Sequence, residues 1–132
     1  GSEYGKSKKI AEEILKEHAD RTKNEVIIYR FPGMFGKWCK PNYNSVVATF
    51  CHNISHDLKI VVNDASTEIE LVYIDDVMNE MVMALKDEEH IIDFDQEDTA
   101  WKYCQVPQSY MVNIGELADI IYSFKITYLE AL

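Results

Sequence analysis

Two hydrophobic periods alternate along the chain, and each change of period marks an element. Ile10, Ala11, Ile14, Leu15 and His18 recur at helical spacing, with Glu12, Glu13, Lys16 and Glu17 on the opposite side. This predicts an amphipathic helix over about 4–18, ending near Asp20. Residues 26–29, Val-Ile-Ile-Tyr, are apolar without alternation, the pattern of a strand covered on both faces in a parallel sheet. Residues 30–44 lose both periods and are predicted as a loop. Val46, Val47, Phe50, Cys51 and Ile54 restore helical spacing over 46–54. Residues 58–62 and 68–74 read as strands joined by a turn at 63–66. The second sets Ile69, Leu71 and Tyr73 against Glu68 and Glu70, as a sheet with one wet face requires. Asp75 or Asp76 is predicted to cap a helix whose buried stripe is Val77, Met81, Val82 and Leu85. After an acidic loop at 86–98, Met111 and Val112 form a short extended piece. Asn113 and Glu116 have the spacing of a capping box ahead of a helix with Leu117, Ile120, Ile121 and Phe124 inward.

This order of elements is mixed α/β. In 132 residues, 47% apolar content is enough for one modest domain with a core, or for a piece of a larger one. No apolar run nears the roughly 20 residues of a membrane-crossing helix, and the amino end lacks a signal-peptide pattern. A cytoplasmic protein with no membrane partner is expected. Cys39, Cys51 and Cys104 are odd in number and lack Cys-x-x-Cys spacing, so reduced thiols are predicted. The formal net charge of −10 argues against nucleic-acid binding, so an anionic ligand has to be met by a local cation. The acidic run 86–98 lacks the spaced ligands and glycine of a calcium loop. His52 and His56, four apart, lack a third ligand. No metal site is expected.

Two stretches carry candidate chemistry. Tyr4 and Lys8 place a phenol and an ammonium one turn apart on one helical face. A positive neighbour favours the phenolate, and a phenol so placed can give a proton to a carbonyl oxygen while a hydride reaches its carbon. The loop 30–44 combines Gly33 and Gly36, Pro32 and Pro41, the flat faces of Phe35, Trp38 and Tyr43, and the charges of Lys37 and Lys40. It follows a buried strand, where ligands of open α/β sheets bind. The five glycines, at 1, 5, 33, 36 and 115, form neither Gly-x-Gly-x-x-Gly nor a Walker loop, so the sequence holds no pyrophosphate cradle.

Tyr-x-x-x-Lys opening a helix, then a buried strand, then Arg-x-Pro-x-x-Phe-Gly at 30–36, then Tyr-Ile-Asp-Asp-Val at 73–77, resembles the extended short-chain dehydrogenases of the NAD-dependent epimerase/dehydratase family. The run 36–51, GKWCKPNYNSVVATFC, is similar to the CapF-type capsular polysaccharide reductases. The resemblance implies the carboxyl-side part of a Rossmann-type domain with its small substrate-binding α/β subdomain: 1–36 would close the Rossmann domain, and 37–132 would form the subdomain. Tyr4 would be the catalytic acid, and Lys8 would hold the nicotinamide ribose. Tyr4, Lys8 and Pro32 would contact the cofactor, NADP or NAD in the intact protein. Gly33, Lys37, Trp38, Asn42 and Asn44 would form the nucleotide-sugar pocket. Gly33 stands where the broader family often has an asparagine, and Ile69 stands near the place of its usual diphosphate-binding arginine.

The implied parent reduces a UDP-linked 4-keto deoxy amino sugar in capsular polysaccharide synthesis as a homodimer. It would have an amino-terminal Rossmann half and, in the CapF type, a downstream cupin domain. The fragment alone is expected to bind no cofactor and to be inactive. The alternatives are an epimerase or dehydratase fragment, or a non-catalytic binding or assembly module in which the first helix serves as a dimer contact.

Overall fold

The structure, a computed structural model, describes residues 2–92 and 99–131. In chain order these form α1 (Glu3–Thr22), β1 (Val26–Tyr29), β2 (Gly33–Phe35), α2 (Val46–Ser55), β3 (Glu68–Tyr73), α3 (Ile74–Ala84), β4 (Trp101–Cys104), β5 (Tyr110–Asn113) and α4 (Ile114–Glu130). The chain divides into two compact units, Gly1–Arg30 with Glu80–Pro107, and Phe31–Asn79 with Gln108–Leu132.

In the first unit β1 and β4 pair in parallel, Val26 opposite Trp101 and Tyr29 opposite Cys104, and α1 packs on both. Ser2 caps α1 by accepting the Gly5 N–H at 3.1 Å, and Lys23 ends it in the left-handed conformation at φ 61°. The helix turns its charged side to the strands and leaves its apolar stripe to solvent. Ala19 is fully buried and Glu12 and Lys16 are half-buried, whereas Ile10, Ile14 and Leu15 are exposed. The physical reason is that the charged side chains find partners on the strands. Glu12 accepts two hydrogen bonds from Arg30, at 3.0 and 2.6 Å, and the Lys16 ammonium lies 4.5 Å from the Trp101 ring centroid and 5.1 Å from that of Tyr103.

In the second unit β3 is the central strand of the order β2-β3-β5, parallel to β2 and antiparallel to β5. Phe50, Ile54, Leu117, Ala118 and Ile121 form the core between α2 and α4, with Ile69 and Val112 of the sheet packed on it. Ser45 caps α2, and Asn113 caps α4 by accepting the Glu116 N–H at 2.8 Å.

Several local expectations are corrected. The predicted loop 30–44 contains β2, because Gly33–Phe35 finds β3 as a ladder partner. Residues 58–62 form no strand; Ile60 and Val62 still pack on the core, so their alternation reflects packing without pairing. Helix α3 begins at Ile74, so Asp75 and Asp76 lie in its first turn rather than at its cap. Val82, Leu85, Ile120 and Phe124, predicted inward, are exposed, as is Cys51. The strand β4 had no predicted counterpart. Residues 93–98 of the acidic loop lie outside the described residues.

Candidate functional site

Tyr4 and Lys8 occupy the first turns of α1, in the first unit. The Tyr4 side chain is open to solvent, with the residue 71% exposed, and the Lys8 ammonium lies 5.4 Å from its ring centroid. Phenol and ammonium are therefore adjacent and accessible to a ligand.

The same unit holds a cluster that the sequence reading passed over. Glu80, only 1% exposed, accepts the Tyr29 hydroxyl at 2.7 Å and the His90 backbone N–H at 2.9 Å, and its other oxygen lies 2.6 Å from His90 Nδ1. Burial raises the Glu80 pKa. The His90 N–H, the Tyr29 hydroxyl and the His90 ring together outweigh burial and hold the carboxyl below its ordinary range. Tyr29 is raised in turn, first by burial and then by its bond to Glu80. The sequence signal is positional: Glu80 follows Val77 by three residues on the face predicted to be buried, and a carboxylate there requires partners.

The loop chemistry belongs to the second unit. Gly36 has φ +132°, and a Cβ there would stand 2.6 Å from Ile74 Cγ2 and 2.8 Å from the Tyr73 ring. A Cβ on Gly33 would meet Leu71 at 3.2 Å and the Glu70 carbonyl oxygen at 3.3 Å, so glycine suits the close pairing of β2 with β3. Trp38, Asn42 and Asn44 all lie in the left-handed region, at φ 68°, 56° and 54°. Asparagine tolerates this conformation; tryptophan adopts it only where something holds it there. Trp38 is 98% exposed. Phe35, counted among the flat faces of the loop, is instead packed between Tyr73 and Tyr110, at centroid distances of 5.4 and 6.2 Å.

Among the described residues, three clefts border the loop. Lys37 and Trp38 line one of about 200 Å³ with Gly36 and Ile74. Lys37 also lines one of about 500 Å³ that reaches Val47, Cys51, His52 and Tyr73. Gly33 and Asn44 line a third of about 270 Å³ with Ile69 and Leu71. Pro32 is half-buried, and neither it nor Asn42 lines these three; the Asn42 N–H donates to Thr49 Oγ1 at 2.9 Å. Lys37 Nζ lies 2.8 Å from Asp75 Oδ2. This hydrogen bond holds the Lys37 pKa above its ordinary value and that of Asp75 below. His52 and His56 stack with centroids 4.3 Å apart, and among the described residues no three His, Cys, Asp or Glu groups could hold a metal ion.

The family model described as NAD dependent epimerase/dehydratase matches residues 1–95. The chain belongs to this family. Within it, the chain is 43% identical over 124 residues to the UDP-2-acetamido-2,6-beta-L-arabino-hexul-4-ose reductase of Pseudomonas aeruginosa, covering 94% of this chain and 31% of that protein. The capsular polysaccharide assembling protein CapF of Staphylococcus aureus superposes with a TM-score of 0.86 at 41% identity, over 98% of this chain and 33% of that one. The chain thus spans about a third of the length of these relatives. The UDP-glucose 4-epimerase of Thermus thermophilus, solved with NAD, matches 85% of the chain with a TM-score of 0.65 at 18% identity. That likeness bears on the fold alone, and it agrees with the mixed α/β, Rossmann-like class expected from the sequence.

The family's nicotinamide cofactor fits part of what is present. Tyr4 and Lys8 stand exposed at the head of α1, with the ammonium 5.4 Å from the phenol ring centroid, and their residue types suit a carbonyl and a ribose. The described strands and helices include no glycine-rich strand-to-helix turn that could cradle a pyrophosphate. No helix of the described residues is long and apolar enough to cross a membrane.

Proposed function

We propose that this chain is the tyrosine-bearing and sugar-binding portion of a nucleotide-sugar reductase that acts on a UDP-linked 4-keto deoxy amino sugar in capsular polysaccharide synthesis. The observation that carries this reading is the exposed Tyr4 and Lys8 pair, one turn apart at the head of α1, in a chain 43% identical to a UDP-sugar ketone reductase. A reduced nicotinamide, when bound, would supply the hydride. Tyr4 gives its hydroxyl proton to the carbonyl oxygen as the carbon is reduced, and the tyrosinate regains a proton from solvent. Lys8 would stabilise that tyrosinate by its positive charge and would hold the cofactor ribose, and Pro32 is a candidate contact for the nicotinamide. Gly33, Lys37, Trp38, Asn42 and Asn44 form the pocket for the nucleotide-sugar. The chain alone is inactive.

The test is Tyr4→Phe in the polypeptide that joins this chain to a cofactor-binding half. Turnover is expected to fall by roughly a hundredfold or more with nucleotide-sugar binding retained; unchanged turnover refutes the assignment. Product analysis separates reduction, which consumes one reduced nicotinamide per sugar, from epimerisation, which consumes none net.

A further inference from the structure

The diphosphate of a UDP-sugar is an anion, and a chain with a formal net charge of −10 must meet it with a local cation. Both arginines, Arg21 and Arg30, belong to the first unit. The second unit has Lys37, Lys40, Lys59 and Lys125. Lys125 is bound to Asp57 at 2.5 Å and to the Ile54 carbonyl oxygen at 2.9 Å. Neither Lys40 nor Lys59 lines the three clefts beside the loop. Lys37 lines two of them, next to Trp38 in one and Tyr73 in the other. Its ammonium rests on Asp75, and both side chains are about half exposed, at 60% and 48%.

We propose that Asp75 is the resting partner of Lys37 and that the diphosphate of the nucleotide-sugar displaces it, so that Asp75 sets the affinity for the anion. The inference rests on the nucleotide-sugar reading above. Carboxylate and diphosphate compete for the same ammonium donors, and the displaced carboxylate remains nearby as a like charge. An exposed ion pair is worth little, so the exchange costs little. Asp75 is not needed to start α3, because Asp76 in the same turn still complements the positive end of the helix.

Titration calorimetry of this chain with UDP and with uridine tests the exchange. Asp75→Asn is expected to bind UDP roughly threefold tighter, with uridine binding unchanged. Lys37→Met is expected to bind UDP roughly tenfold more weakly, again sparing uridine. If the unsubstituted chain binds UDP but Asp75→Asn binds it equally or less well, the exchange is wrong and the nucleotide-sugar reading stands. Equal changes for UDP and uridine report altered folding of the loop and also overturn the exchange. If the unsubstituted chain binds neither compound, the reading falls and the exchange with it. Circular dichroism melts of both variants confirm that α3 is retained.

Discussion

Gly36 is the residue on which the path of the loop depends. Its φ of +132° excludes most side chains, and an added Cβ would overlap Ile74 and the Tyr73 ring. Gly36→Ala is therefore expected to destabilise the chain by about 2–4 kcal/mol, read as a lower urea midpoint at unchanged slope. An unaltered midpoint would mean that the turn relaxes without cost. Trp38 makes the opposite case. Its left-handed backbone costs about 1–2 kcal/mol, and its ring, open to solvent, gains little packing in return. Trp38→Asn should raise stability by about 0.5–1 kcal/mol while weakening nucleotide-sugar binding, and a variant less stable than the parent would show that the ring packs after all. The sequence displays the residue types of the loop, but not that three of its non-glycine residues are left-handed. That feature depends on how β2 and α2 fix the two ends.

At the level of elements, the legible parts were those with local causes. The Asn113 cap, the apolar run of β1 and the spacing of α2 depend on neighbours within a few residues, and each lies where its pattern puts it. The misread parts depend on distant partners. Strand β4 pairs with β1 across 75 positions of sequence, and nothing in Trp-Lys-Tyr-Cys announces that partner. Helical spacing shows that the stripe of α1 is apolar, not that it is covered. Ile10, Ile14 and Leu15 are exposed and should drive weak self-association, visible as concentration-dependent sedimentation and reduced in Ile14→Glu. A monomer at all concentrations would show that the stripe is too narrow to associate. A two-stranded sheet is marginal and depends on its covering element, which for β1 and β4 is α1. Amides of β1 and β4 should therefore exchange with deuterium faster than those of β3, which is paired on both sides.

For the molecule as a whole, acidity should govern stability. Among the described residues Glu12, Asp64, Asp75, Glu80 and Glu89 are all held below their ordinary pKa. The chief lowering partners are Arg30, Ser66, Lys37, His90 and Lys102 respectively, and in Glu80 they act against burial. The unfolded chain binds protons at these sites first as pH falls. Their stabilisation is thus complete above the ordinary values of 4.5 and 3.8, and it is lost as pH drops through the lower folded values. Calorimetric Tm should change little from about pH 7 to 5 and fall below about 4.5, chiefly through the buried side chains of Glu80 and Glu89, because exposed pairs such as Lys37–Asp75 contribute little. A Tm that holds to about pH 3 would mean that these pairs add nothing. The placement of the two tryptophans has one more consequence. Trp101 lies half-buried under Lys16 in one unit, while Trp38 stands in water in the other. Indole emission will therefore shift with the loss of the first unit and stay nearly silent about the second, so a fluorescence melt watches the tyrosine helix and not the clefts.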